Sequence, residues 1–122
     1  MNTILVVDDR PDSRYATTRV LARAGFDVRE TATGRDALRL ARTAPDLIVL
    51  DIALTDIDGF EVCRRLKSDA ATRAIPVIQK TSVYRDPDHR LQGLAAGADE
   101  YLIDPVEPEV LIETVRRFLP GR

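Results

Sequence analysis

Carboxylates stand at the ends of three separate apolar runs in this chain. Asp8 and Asp9 close "TILVVDD", Asp51 closes "DLIVLD", and Asp104 follows "EYLI" just before Pro105. A lone Asp at a strand end is ordinarily a helix cap or a turn former. Several on one edge change that reading, because converging carboxylates repel unless they are protonated or share a cation. Hard oxygen ligands at this density suit Mg²⁺, which takes few protein ligands and keeps several waters. A carboxylate beside such an ion can attack phosphorus to give an acyl phosphate, while the metal neutralises the developing charge.

Convergence requires the right elements. Five β-rich runs, "TILVVD" (3 to 8), "DVRETA" (27 to 32), "DLIVLD" (46 to 51), "IPVIQKT" (75 to 81) and "EYLI" (100 to 103), alternate with helical patterns. Pro11 suits a first helical turn; Thr33 with Asp36 and Asp58 with Glu61 form capping-box spacings; Asp86-Pro87 and Glu107-Pro108 read as cap plus first turn. Gly25 and Gly97 mark helix ends. The first and third runs are continuously apolar, as strands covered on both faces must be. Five β/α units with a parallel sheet and right-handed crossovers follow. The functional crevice of such a sheet lies beyond the C-terminal strand ends, at the switch point of strand order. That puts weight on Asp8, Asp9, Asp51, Thr81 and Asp104.

The stretches "ILVVDD", "LIVLDIALTDIDGFEVCRRLK", "IPVIQKTS" and "GADEYLIDPV", in this order and spacing, resemble the receiver domain of two-component response regulators. The resemblance covers essentially all of residues 1–122, read as one domain. It implies a flavodoxin-like (βα)5 sandwich of strand order 2-1-3-4-5. It further implies that Asp51 is the phosphoacceptor, served by a histidine kinase or histidine phosphotransfer protein. Asp8 and Asp9 match the acidic pair that holds Mg²⁺, and the main-chain carbonyl of Ala53 the further protein ligand. Thr81 matches the switch hydroxyl and Tyr101 the aromatic that follows it; read without the resemblance, they are a β-branched strand residue and a half-buried edge aromatic. A cis bond between Asp104 and Pro105 and a dimer or partner face over roughly 86 to 119 are implied as well.

Two positions depart from the family pattern. Thr55 stands where a proline is usual, which alters turn stiffness more than chemistry. Asp104 stands where a lysine ordinarily meets the phosphoryl group. Opposite charges at ~4 Å are worth about 4 kcal/mol at an effective dielectric of 20, so the reversal moves the site by several kcal/mol unless something compensates. A phosphorylation-independent pseudo-receiver is therefore the alternative. The "PVEP" stretch at 105 to 108 resembles receivers of hybrid sensor kinases that also lack this lysine. Lys80, next to Thr81, should point away from it by alternation; the simpler expectation is a snorkelling or partly exposed lysine, the sharper one a shifted strand that lets Lys80 or Arg85 reach Asp104 or the phosphoryl group.

Other functions are excluded by what is missing. An aspartate-nucleophile phosphohydrolase expects another Asp two residues after the first, where this chain has Ala53, and "DDRPDS" would repel a flavin phosphate. No enzyme activity of its own is expected. With 18 basic and 20 acidic residues, a net charge of -2 gives no electrostatic case for nucleic acid or a membrane surface. A single cysteine, Cys63, forms no disulfide and reads as a small buried hydrophobe; with no signal peptide or long apolar span the chain reads as cytosolic. His89 has no metal-binding company, and Arg64, Arg65, Arg116 and Arg117 read as solvated helix faces.

Overall fold

The computed structural model describes residues 2–119. In chain order the elements are β1 (Thr3–Val7), α1 (Pro11–Arg23), β2 (Asp27–Thr31), α2 (Gly34–Ala41), β3 (Leu47–Asp51), α3 (Gly59–Ser68), β4 (Val77–Thr81), α4 (Pro87–Ala95), β5 (Glu100–Ile103) and α5 (Pro108–Phe118). The strands form one parallel sheet in the order β2-β1-β3-β4-β5. The expected architecture and strand order are both present. Strand ends differ from the sequence reading by one or two residues: the fourth run starts at Val77 rather than Ile75.

Alternate residues of the buried strands feed two apolar layers. Leu5, Val7, Ile48 and Leu50 pack on Ala37, Ala41, Val62, Cys63 and Leu66 of α2 and α3. Ile4, Val6, Val49 and Ile78 pack on Leu21, Leu111 and Val115 of α1 and α5. Every residue of β3 is buried, which is why its sequence lacks alternation. The edge strand β2 instead carries exposed Asp27, Arg29 and Glu30, charges that discourage pairing with another chain.

The helix starts follow the sequence signals. Thr33 Oγ1 accepts from the Asp36 N–H at 3.1 Å, Asp58 Oδ1 from Glu61 at 2.9 Å and Asp86 Oδ1 from His89 at 3.2 Å. Glu107 precedes α5 without a side-chain cap, and Pro108 alone shapes that turn. Gly25 and Gly97 have φ of 98° and 106°, a region in which other residues are strained. The Asp104–Pro105 bond is cis.

Candidate functional site

The C-terminal ends of β1 and β3 bring Asp8, Asp9 and Asp51 together, each offering a carboxylate oxygen within 4.8 Å of the others. Asp8 and Asp51 are buried and Asp9 is half-buried. Asp8 is fixed locally: its Oδ1 accepts the Arg10 N–H at 2.9 Å, and its main-chain carbonyl accepts from the Arg14 guanidinium at 2.9 Å. Burial, and then the neighbouring Asp8 charge, push the Asp51 carboxyl up from 3.8 to about 6; the Ala53 N–H and Arg10 pull the other way. Proximity of three such oxygens, with one held partly protonated in the absence of a cation, is the donor set a hard divalent ion fits. Ala53 lies half-buried on the loop that leaves Asp51.

That loop is braced in a way the sequence did not announce. Asp56 reaches across to the N-terminus of α2, accepting from the Gly34 and Arg35 N–H groups at 2.9 and 3.0 Å. Orphan donors of a helix start are thereby satisfied by a residue from another loop. The Gly59 N–H donates to the Ile52 carbonyl at 2.8 Å. A Cβ at Gly59 would meet Ile52 Cα at 2.5 Å and the Asp51 carbonyl at 2.6 Å, so α3 begins hard against the backbone that carries Asp51. These ties hold the loop in place of the proline absent at Thr55.

On the other side of the site, Thr81 is fully buried and its Oγ1 accepts from the N–H groups of Val83 and Tyr84, both at 3.1 Å. Tyr101 is not a half-buried edge aromatic: it is 1% exposed, and its hydroxyl donates to the Tyr84 carbonyl at 2.8 Å. Gly93 of α4 makes the room, since a Cβ there would lie 2.7 and 2.9 Å from the Tyr101 ring. Beside it, Gln79 is completely buried and its Oε1 has no hydrogen-bond partner among the described residues. His89 stacks on Tyr84 at 4.5 Å and approaches Phe60 at 6.2 Å.

Asp104 is where the sequence reading needs correction. Its carboxylate does not stand as a free fourth charge in the acidic cluster, which among the described residues comprises Asp8, Asp9 and Asp51. Instead Asp104 Oδ2 lies 2.7 Å from Lys80 Nζ, with the side chains only 21% and 11% exposed. The Arg85 guanidinium donates to the Asp104 main-chain carbonyl. No strand shift is needed: β4 keeps a regular register, Lys80 opposite Asp51 on one side and Leu102 on the other. Lys80 faces the Asp51 side of the sheet and Thr81 the opposite side; of the sharper expectation the reach to Asp104 is present and the strand shift is not, and the partly buried state of Lys80 agrees with the simpler one. Beside this pair a cleft of about 520 Å³ runs between α1 and the turn after β5, lined by Arg10, Ser13, Lys80, Arg85 and Pro105 among others.

A five-stranded parallel sheet of this order, with an acidic cluster at its switch point, defines a flavodoxin-like α/β module. Residues 4–116 match the family of the response regulator receiver domain, and the chain belongs to that family. The protein PilH of Pseudomonas aeruginosa is 38% identical over 99% of this chain and 100% of its own length. The transcriptional regulatory protein AfsQ1 of Streptomyces coelicolor is 42% identical over 98% of this chain but only 52% of itself, so the chain spans about half of such longer relatives. Among solved structures, a response regulator from Chloroflexus aurantiacus superposes with a TM-score of 0.91 at 33% identity, covering 96% of both chains. The receiver domain of a sensor histidine kinase from Pseudomonas aeruginosa, solved with a magnesium ion coordinated in its active site cleft, superposes at 0.87 with 29% identity and 96% coverage of both. The chain is thus a receiver domain of two-component signalling. Among the described residues no helix is long and apolar enough to cross a membrane.

Proposed function

We propose that this receiver accepts a phosphoryl group on Asp51 from the phosphohistidine of a histidine kinase or histidine phosphotransfer protein. The observation that carries the reading is the meeting of Asp51 with Asp8 and Asp9 within 4.8 Å at the strand ends. Asp8, Asp9, Asp51 and the Ala53 carbonyl would hold a Mg²⁺ ion, which would supply positive charge to offset that of the nucleophile and the phosphoryl group. Once ionised, an Asp51 carboxylate oxygen bonds to phosphorus, the P–N bond breaks, and its electron pair leaves with the donor nitrogen. Thr81, whose hydroxyl now accepts two N–H groups, keeps its own proton to donate to a phosphoryl oxygen, and that move would draw the Val83–Tyr84 segment with it. Tyr101, tied to the Tyr84 carbonyl, is the side chain that would register the change.

The exposed Leu91 and Leu94 of α4 and Val110 of α5 lie on elements of the face proposed for a partner or second copy. Sedimentation with and without phosphodonor tests that; one monomeric mass under both conditions counts against it. The main experiment is exposure to phosphoramidate with Mg²⁺, read by intact mass. One phosphoryl adduct is expected, absent in Asp51→Asn. An adduct that persists in the variant sinks the assignment, and none on the native chain favours the pseudo-receiver that Asp104 suggests.

A further inference from the structure

We infer that Lys80, entering from β4 and steadied by Asp104, is the cation that meets the phosphoryl group on Asp51. The inference rests on the phosphoacceptor reading and adds a residue to it. Lys80 and Asp51 are register partners on adjacent parallel strands, and side chains at paired positions share a face of the sheet. Both also line one small cavity of about 10 Å³, together with Asp8 and Thr17. An ammonium only 11% exposed is unusual unless it is paired, and its partner is Asp104 at 2.7 Å. That bond uses one of three ammonium donors and leaves two for oxygens arriving at Asp51.

A cation is needed there on charge grounds. Phosphorylation brings about two negative charges to a position already flanked by two carboxylates, and Lys or Arg clamps are a principal source of stabilisation in phosphoryl transfer. Arg10 is the nearest alternative, since its charge already acts on the Asp51 carboxyl, and it differs from Lys80 in its exposure. Arg10 and Arg85 are exposed, and their guanidinium groups are engaged by Ser82 Oγ at 3.1 Å and by the Asp104 carbonyl; charges in water are screened far more than one walled off by the sheet. Lys67, the other lysine, is bound to Asp99 at 3.1 Å. Asp104 acts through Lys80 and is a positioning residue. No proton leaves Lys80 in this scheme: it donates hydrogen bonds while Asp51 oxygen bonds to phosphorus and, with phosphoramidate, ammonia departs carrying the electron pair of the P–N bond.

Four proteins separate the possibilities: native, Asp104→Asn, Lys80→Met, and the double variant. Each is treated with phosphoramidate and Mg²⁺, adduct formation is followed by intact mass, and beryllofluoride binding is followed by NMR titration. Comparing the double variant with Asp104→Asn removes the confusion of an unpaired carboxylate. Losing charge-assisted bonds to the phosphoryl should slow adduct formation about tenfold or more, and weaken beryllofluoride binding, with melting temperatures of the two variants recorded alongside. Equal rates and equal beryllofluoride affinity in those two overturn the inference about Lys80 while leaving Asp51 as acceptor. No adduct on the native chain overturns both.

Discussion

Replacing Asp51 by Asn should stabilise the metal-free protein, and the gain should depend on pH. Burial and the Asp8 charge raise the Asp51 carboxyl from 3.8 to about 6. At about 1.4 kcal/mol for each pH unit, ionised Asp51 costs the fold about 3 kcal/mol. Because the folded pKa lies above the unfolded value, the native state holds the extra proton between about pH 4 and about pH 6. Stability therefore falls as pH rises through that window and levels off above it. Asn carries no charge at any pH and keeps an oxygen for the Ala53 N–H. Its advantage is expected at about 3 kcal/mol near pH 8, about half that near pH 5, and nil once both states are protonated. For a domain of this size the larger figure amounts to roughly 10 °C in melting temperature. Thermal melts of both proteins in chelator at the two pH values provide the measurement, and Mg²⁺ should narrow the gap at the higher pH by binding the native acidic cluster. A gain of equal size at both values would refute the reasoning, since it would owe nothing to a buried charge.

Asp104→Lys should destabilise the chain by about 3 kcal/mol in urea, because it sets two ammonium groups where Lys80 and Asp104 now pair, and adding Lys80→Val should recover most of the loss. Unchanged stability in the single variant would count against the pair. Gly93→Ala gains about 1 kcal/mol of helix propensity but sets a methyl 2.2 Å from Gln79 Oε1 and 2.7 Å from the Tyr101 ring. Overpacking of this kind costs about 1 to 3 kcal/mol, so a lower melting temperature with a displaced Tyr101 resonance is expected, and a raised one would contradict it. Cys63 is fully buried and its thiol is pushed up to about 11, chiefly by burial. Its reaction with a disulfide reagent at pH 8 should run at the rate of protein opening rather than of thiol chemistry, and rapid native-state labelling would disagree.

The fold was legible because its determinants are local and repeated. Apolar runs, glycines past helix ends, and caps such as Thr33, Asp58 and Asp86 sit at fixed offsets and are read without knowing what they pack against. The acidic cluster was legible for a related reason: parallel strands all deliver their last residues to one edge. What escaped the reading depends on side-chain reach between elements distant in sequence. Asp56 caps a helix that begins 22 residues earlier, and Lys80 meets Asp104, 24 residues away, without the strand shift that the sequence reading attached to that contact. Alternation gave the correct face for Lys80 but offered Asp104 only as one partner among others, because a flexible four-carbon stem sets where an ammonium ends. Tyr101 looked like an edge aromatic because a sequence does not show that a glycine on α4 opens a slot for its ring.

The aromatic arrangement around α4 also makes the protein its own optical probe. The chain has three tyrosines and no tryptophan, so tyrosine emission is not masked. Tyr15 stands apart, 62% exposed on α1. The other two are linked: Tyr84 stacks on His89, and Tyr101 donates to the Tyr84 carbonyl. In a Tyr15→Phe background every emitting ring therefore lies between the end of β4 and the slot beneath α4. Lifetime or near-ultraviolet dichroism measurements on that background watch this segment alone, without a label, at the concentrations used for phosphodonor kinetics.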